Sequence, residues 1–503
     1  MQTRRQLLQL TAAMALQAAA SPDLEEITVA QLQQGLGSSR WTSVQLVEKY
    51  LARIDQIDKH GPAINAVIEL NPDAAAIAAA LDAERKQKGS RGPLHGIPVL
   101  IKDNIDTGDK MMTTAGSLAL AGAPAPKDAA LVTRLRAAGA VILGKTNLSE
   151  WANFRSTHSI SGWSGRGGQT RNPYALDRNP SGSSSGSGAG ASASLCAVAV
   201  GTETDGSVVS PSSLNGLVGI KPTVGLIPGA GIVPISHRQD TAGPMARTVT
   251  DAALLLGVLA GADFRSSLDA SGLKGARIGV ARQVFGFNDQ VDKVINDAIG
   301  VLKHLGAEII DPADIPTYSQ FGEPEGEALL WEFKADLNAY LKTRGAAVRS
   351  LKDIIDFNER NRAREMPYFG QDQMLKAETK GDTNSKAYAD LVARLNRIAR
   401  QDGIDAILSK RKLDALVAPT DGPAWLTDYV DGDHFTGGCS TPAAVAGYPH
   451  ITVPAGQVFG LPVGLSFFGA ARSEAKLIRY AFAFEQATKA RRAPKYLPSV
   501  KLA

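Results

Sequence analysis

The chain has 503 residues, of which 44% are hydrophobic and 21% are charged, and its formal net charge is +4. This balance is typical of a folded protein with a large core, and length alone predicts two to four domains. The small net charge and the absence of a basic run exclude an electrostatic nucleic-acid binder, so no nucleic-acid partner is expected.

The first twenty residues have the pattern of a cleavable export signal. A positive start at Arg4 and Arg5 precedes an apolar stretch, and small residues stand at Ala18 and Ala20. The arginine pair resembles a twin-arginine signal, which exports folded proteins. We expect cleavage after Ala20 and an exported, periplasmic domain over 21–503; the alternative is an uncleaved amphipathic helix. No later segment reaches the ~18 consecutive apolar residues of a membrane span, so no membrane association is expected after signal removal.

Hydrophobic periodicity after the signal predicts helices alternating with strands. Helices are predicted over 42–58, 72–89, 128–139, 290–305 and 473–490. Strands are predicted over 64–70, 96–103, 140–146, 276–281, 307–312, 413–420, 451–456 and 461–469. Residues 315–410 are helical in pattern and rich in charge, and we expect them to form a cap or edge layer. This alternation indicates an α/β fold whose sheet is covered on both faces.

The cysteine count limits the cross-links and metal sites that the chain can form. Cys196 and Cys439 are its two cysteines, which excludes a disulfide framework and a cysteine-only zinc site. Two buried thiols that behave as small apolar groups are favoured, with one bridge between them left open. Because no cysteine–histidine cluster has ligand spacing, no metal and no organic cofactor are expected.

A stretch rich in serine, glycine and alanine, NPSGSSSGSGAGASASLCAVAVGTETDGSVVSP, covers residues 179–211. By composition alone it reads as a flexible linker. It continues into the alanine-rich segment 191–200, which predicts a buried helix broken by Gly201. Residues 182–188 would then lie at a helix N-terminus, where free N–H groups bind negative charge. A phosphate loop is disfavoured because no lysine follows the last glycine.

Within this stretch, GSSSG over 182–186 matches the nucleophile elbow G-x-S-x-G, with Ser184 as the nucleophile. That elbow requires a strand immediately before it, whereas Pro173 and Pro180 interrupt the preceding segment. Ser184 is therefore disfavoured as a nucleophile.

Two other residues are candidates for chemistry. Ser207 follows Gly206 in a segment that predicts a tight turn, and such a turn can direct several N–H groups into one space. The alternative is a simple turn with a capping serine. Lys102 closes the apolar strand 96–103; it is either a lysine extending to solvent or a buried, neutral lysine that accepts a proton.

The order of these features resembles the amidase signature family. The resemblance rests on Lys102-Asp103-Asn104, on PSGSSSGSG, on GTETDGSVVSP, and on CSTPAAVAGYPHITVPAG near the C-terminus. It covers nearly all of the chain after the signal. Within the family, TNLSEWANFR (146–155) and QDTAGPMAR (239–247) resemble bacterial peptide amidases.

The resemblance implies a role for each matching residue. Ser207 matches the nucleophile, Ser183 matches a bridging serine that follows a cis peptide bond, and Lys102 matches the general base. The implied oxyanion hole is the turn of Thr204, Asp205, Gly206 and Ser207.

The resemblance also implies a fold and an activity. The fold is a single large α/β/α domain around a mixed, twisted β-sheet, in place of several domains. The activity is hydrolysis of a carboxamide through a Ser-Ser-Lys triad and an acyl-enzyme, with the C-terminal amide of small peptides as substrate and ammonia as product. The alternatives are hydrolysis of fatty-acid or small amides, a role in transamidation, or a non-catalytic periplasmic binding protein; the oligomeric state stays open.

The sequence departs from the family pattern in three places. Ser181 and Ser185 stand where glycine is usual, and Asp205 stands where many members have glycine. The backbone N–H of Asp205 can still donate, and the bearing of its carboxylate on substrate choice stays open. We expect segments 315–410 and 161–174 to form the walls of a pocket closed on the leaving-group side.

Overall fold

The computed structural model describes residues 24–502, and the predicted export signal lies outside the described residues. The strands are β1 (Val67–Leu70), β2 (Pro98–Lys102), β3 (Val141–Thr146), β4 (Trp163–Ser164), β5 (Gly168–Gln169), β6 (Val198–Glu203), β7 (Val218–Lys221), β8 (Thr241–Ala246), β9 (Arg277–Val280), β10 (Glu308–Ile310), β11 (Ala415–Pro419), β12 (His450–Val458) and β13 (Leu461–Phe468). The helices are α1 (Val29–Gly37), α2 (Ser43–Arg53), α3 (Ala74–Lys88), α4 (Ala130–Ala137), α5 (Ser185–Ser192), α6 (Val209–Leu214), α7 (Val249–Ala260), α8 (Asp289–His304), α9 (Gly322–Arg344), α10 (Leu351–Arg360), α11 (Arg362–Glu365), α12 (Asp372–Glu378), α13 (Lys386–Asn396), α14 (Asp405–Arg411), α15 (Ser440–Ala446) and α16 (Glu474–Thr488).

Eleven strands form one mixed sheet, which confirms the predicted α/β class. The strand order is β1, β3, β2, β6, β8, β7, β12, β13, β11, β9, β10, and β4 and β5 form a separate ribbon. β2 is parallel to both β3 and β6, and β9 is parallel to β10 and β11, whereas the other neighbours are antiparallel. Every residue of β2, β3 and β6 is buried, so both faces of the sheet are covered there.

The predicted helix over 191–200 is wrong. The helix, α5, begins earlier, at Ser185 inside the serine–glycine stretch, and ends at Ser192. Val198 and Val200 lie in β6, and Gly201 is inside this strand. Tertiary pairing explains the difference, because β6 pairs with β2 on one side and β8 on the other and its branched valines pack well in a sheet.

Residues 315–410 contain helices α9 to α13, nearly all of α14 and no strand, in agreement with the predicted helical layer. Phe333 and Leu337 of α9 pack with Trp151 and Phe154, which follow β3. The rings of Phe154 and Phe333 meet edge to face at 5.0 Å. The layer therefore lies against the loop that leads from β3 towards α5.

Cys196 and Cys439 are both buried, free thiols, as the favoured alternative predicted. None of the helices between residues 24 and 502 has the length and apolarity that crossing a bilayer requires.

Candidate active site

Lys102 lies at the carboxyl end of β2, and its side chain is fully buried. Because β2 and β6 are parallel neighbours, their carboxyl ends meet at one edge of the sheet, beside Thr202 of β6. Lys102 Nζ lies 3.0 Å from Thr202 Oγ1 and 3.3 Å from its carbonyl oxygen. It also lies 2.7 Å from Ser183 Oγ and 3.1 Å from Ser184 Oγ. The alternative of a lysine extending to solvent is therefore wrong.

Burial lowers the pKa of Lys102 from 10.5 to about 7, and the negative charges of Asp240 and Glu203 offset part of this effect. One pKa unit corresponds to about 1.4 kcal/mol, so the site disfavours the ammonium form by about 5 kcal/mol relative to water. Near neutral pH, a large fraction of Lys102 is therefore an amine that can accept a proton.

Ser183 and Ser207 come from different segments that are joined by a backbone hydrogen bond. The peptide bond between Gly182 and Ser183 is cis, as the resemblance implied. The N–H of Ser184 donates to the carbonyl oxygen of Ser207 at 3.2 Å. Ser183 is fully buried, whereas Ser207 is 8% exposed. Ser183 thus contacts the buried amine of Lys102, and the residue after it is hydrogen-bonded to the backbone of Ser207.

Ser184, the candidate for a nucleophile elbow, is fully buried and held by β6. Its hydroxyl donates to the carbonyl oxygen of Thr202 at 3.0 Å and accepts from the N–H of Thr202 at 3.1 Å. It also precedes the first residue of α5 directly. These bonds give Ser184 a structural role in joining α5 to β6.

The glycines around α5 are required by close packing. A Cβ on Gly186 would lie 2.2 Å from the carbonyl oxygen of Ala66, and a Cβ on Gly201 would lie 2.7 Å from Ser184 Oγ. None of Gly182, Gly186 and Gly201 has a positive φ, so close packing and not an unusual dihedral angle explains glycine at these three positions.

The serines that replace the usual glycines add hydrogen bonds next to the site. Ser185 Oγ donates to the carbonyl oxygen of Ser181 at 2.6 Å. The hydroxyls of Ser181 and Ser210 lie 2.6 Å apart. Ser181 adopts a φ of +61°, a left-handed conformation that costs a non-glycine residue some free energy.

The turn from Thr204 to Ser207 connects β6 to α6. Gly206 has a φ of +79°, a conformation that favours glycine, so the turn depends on this residue. Within residues 24–502, no hydrogen-bond acceptor is paired with the backbone N–H of Asp205, Gly206 or Ser207. These N–H groups can therefore donate to a substrate oxygen.

Side chains hold this turn from two sides. The hydroxyl of Thr204 donates to Asp240 Oδ1 at 2.6 Å. Asp205 Oδ2 accepts a hydrogen bond of 2.7 Å from the hydroxyl of Thr441, the second residue of α15. Burial raises the pKa of Asp205.

A cavity of about 400 Å³ lies beside the two serines and is lined by their neighbours Gly182 and Gly206. Its walls come from 153–161 and from 421–441, including Trp425 and Phe435. Residues 315–410, all of which the structure describes, contribute no lining side chain, and 161–174 contributes Ser161 alone. The wall prediction is therefore wrong apart from Ser161. Segment 421–441 was missed because nothing in its local sequence indicates its contact with the serine segments.

The comparisons with known proteins agree with this fold. A model of the amidase family, described as "Amidase", matches residues 45–478. The peptide amidase PAM, solved in complex with the competitive inhibitor chymostatin, is 49% identical with a TM-score of 0.91, over 93% of this chain and 99% of that one. A probable amidase of Arabidopsis thaliana is 42% identical over 94% of this chain and 92% of its own length. A glutamyl-tRNA(Gln) amidotransferase subunit of Chloroflexus aurantiacus is 34% identical over 93% of this chain and 97% of its own length.

The chain belongs to the amidase family. It is a hydrolase of amide C–N bonds whose structure is close to that of a peptide amidase.

Proposed function

We propose that the protein hydrolyses the C-terminal amide of short peptides and releases ammonia, with Lys102, Ser183 and Ser207 as its catalytic triad. The observation that carries the proposal is the buried contact of 2.7 Å between Lys102 Nζ and Ser183 Oγ, at a lysine whose pKa is lowered to about 7. The 49% identity with a peptide amidase supports the peptide amide as the substrate.

The proposed reaction begins with two proton transfers along the triad. Neutral Lys102 accepts the proton of Ser183, Ser183 accepts that of Ser207, and Ser207 Oγ attacks the amide carbon. The N–H groups of Asp205, Gly206 and Ser207 stabilise the negative oxygen of the tetrahedral intermediate. Ser183 then protonates the leaving nitrogen and regains its proton from Lys102, and ammonia departs. Water then hydrolyses the acyl-enzyme, giving the peptide acid and restoring the hydroxyl of Ser207.

Burial on the leaving-group side supports selectivity for a primary amide. The leaving nitrogen must reach Ser183, which is fully buried together with Lys102 and Ser184. Ammonia fits such a position, whereas a continuing peptide chain would bury polar groups without partners. Internal peptide bonds are therefore spared in this proposal.

An aromatic rim supports binding of the peptide side chains that precede the amide. Trp425 and Phe435 line the cavity, and Phe435 is 55% exposed. The rings of Trp425 and Phe435 meet edge to face, with their centroids 6.2 Å apart. Exposed aromatic groups next to a cavity are suited to apolar side chains of a ligand.

The test is a short N-acetylated peptide amide incubated with the enzyme and followed by mass spectrometry. We expect one product, about one mass unit heavier, with one equivalent of ammonia and no internal fragments. The matched substrate is the same peptide extended by two residues, which should stay intact. Internal cleavage would contradict the closed leaving-group side. Turnover of long-chain fatty amides alone would favour a lipid amidase, and turnover that requires a glutamine donor and an acceptor tRNA would favour a role in transamidation.

A further inference from the structure

The turn of Thr204 to Ser207 contacts helix α9 of the helical layer through Glu325. Glu325 lies in the first turn of α9 and is 7% exposed. Its carboxyl group is within hydrogen-bonding reach of the Asp205 carboxyl group. It also accepts a hydrogen bond from Gln239 Nε2 at 2.8 Å, and this nitrogen lies 3.4 Å from the carbonyl oxygen of Thr204. Glu325 therefore reaches the turn directly and through Gln239.

Two carboxyl groups in such contact need one proton between them, because two adjacent negative charges cannot both stay ionised. Asp205 already accepts a hydrogen bond from the hydroxyl of Thr441, and the nearby hydroxyl of Ser440 and the positive charge of Lys221 favour its ionised form. Its Oδ1 atom has no other donor among the residues that the structure describes. Burial raises the pKa of Glu325 well above its ordinary value. The proton thus belongs to Glu325, which can donate it to Asp205 Oδ1.

We propose that protonated Glu325 is a positioning residue for the amidase reaction: its hydrogen bonds to Asp205 and Gln239 keep the N–H groups of the turn directed at the substrate oxygen. The inference rests on the proposed function of that turn. A second contact on the same helix steadies the arrangement, because Glu332 accepts hydrogen bonds from Ser236 and Arg238 in the segment that carries Gln239.

Three variants test whether Glu325 acts as a hydrogen-bond donor or as a negative charge. Glu325→Gln can donate to Asp205 and accept from Gln239, so we expect its kcat within about threefold of the wild type. Glu325→Leu has a similar volume and neither hydrogen bond. Loss of one oxyanion donor costs about 100- to 1,000-fold, and displacement of the turn should cost part of this, about 10- to 100-fold in kcat with little change in KM. Glu323→Leu, exposed on the same helix, is the matched control and should keep the wild-type kcat.

The variants are assayed on a peptide amide and on an N-acetylated amino-acid amide. If the wild type hydrolyses the amino-acid amide but not the peptide amide, the proposed peptide specificity is contradicted. The variants can then still be compared on the amino-acid amide, and this comparison decides the role of Glu325. Loss of kcat in Glu325→Leu together with rescue in Glu325→Gln supports the proposal. A Gln variant as impaired as the Leu variant, or a Leu variant as active as the wild type, overturns it.

Circular dichroism and thermal unfolding establish that each variant is folded. If Glu325→Leu does not fold, Gln239→Met replaces it, since this change breaks the link to Thr204 and leaves Glu325 in place. We expect this variant to lose about 10-fold in kcat. An unchanged kcat in a folded Gln239→Met variant overturns the proposal.

Discussion

Activity is expected to follow the protonation state of Lys102. Its pKa is lowered to about 7, and the amine can accept the proton of Ser183 only in its neutral form. The neutral fraction is then about 1 in 2 at pH 7, about 1 in 10 at pH 6 and about 1 in 100 at pH 5. We therefore expect kcat/KM to rise about tenfold from pH 5 to pH 6 and about fivefold from pH 6 to pH 7, and to level off by pH 8.

The assay uses an N-acetylated peptide amide with apolar side chains, so that no group of the substrate titrates in this range. Product is quantified by mass spectrometry between pH 5 and pH 9, which avoids a coupling enzyme with its own pH dependence. A midpoint above pH 9, or no acid limb, would refute the reasoning. Lys145 and Lys221 are also buried, with pKa values lowered to about 8, but their Nζ atoms donate to the carbonyl oxygens of Ile105 and Tyr448. Because neither amine contacts Ser183, neither should set the acid midpoint.

The lowered pKa of Lys102 also has a consequence for stability that is independent of catalysis. Between pH 7 and 10.5 the unfolded chain binds this proton more readily than the folded chain does, so the contribution of Lys102 to the free energy of unfolding rises with pH there. Below pH 7 the destabilisation that the buried Lys102 causes has its full size, and above pH 10.5 it is absent. Lys102→Met removes this dependence, so its stability relative to the wild type should be about 2–3 kcal/mol greater at pH 6 than at pH 9. Urea unfolding of the variant and the wild type at both pH values measures the difference in their free energies of unfolding. The same difference at pH 6 and at pH 9 would contradict a buried, neutral lysine.

The remaining predictions concern the serines, the metal content and the N-terminus. Ser207→Ala should abolish turnover and acyl-enzyme formation with circular dichroism unchanged; measurable burst kinetics in this variant would exclude Ser207 as the nucleophile. Ser184→Ala should lose about 1–3 kcal/mol of stability, because the buried N–H of Thr202 loses its partner, and should still form the acyl-enzyme. Exhaustive chelation should leave the rate unchanged, and a loss restored by zinc would show a metal requirement. The exported protein should begin near Ser21, and replacement of Arg4 and Arg5 by lysine should block export; equal export by the lysine variant would disprove the twin-arginine signal.

The sequence alone predicted the parts of this protein that depend on local pattern. The apolar run that ends in Lys102 predicted a buried strand, which the structure contains as β2. The residues around Ser183 and Ser207 resembled a known signature, and the family match confirms the resemblance. Five of the six helices that were predicted with bounds lie within a few residues of helices in the structure, because an amphipathic period reports which face of a helix is buried.

Only the tertiary structure decided which distant segments meet. Lys102 contacts Thr202 because β2 and β6 are parallel neighbours, although the two residues are 100 positions apart. The start of β6 was mistaken for helix because it follows the alanine-rich residues 191–197, and pairing with two strands selects the sheet for its valines. The cavity wall of 421–441 and the contact of Glu325 with Asp205 likewise join segments that are far apart in sequence. Periodicity records how each segment is buried, whereas contacts at the site depend on strand order and helix packing, which no local pattern encodes.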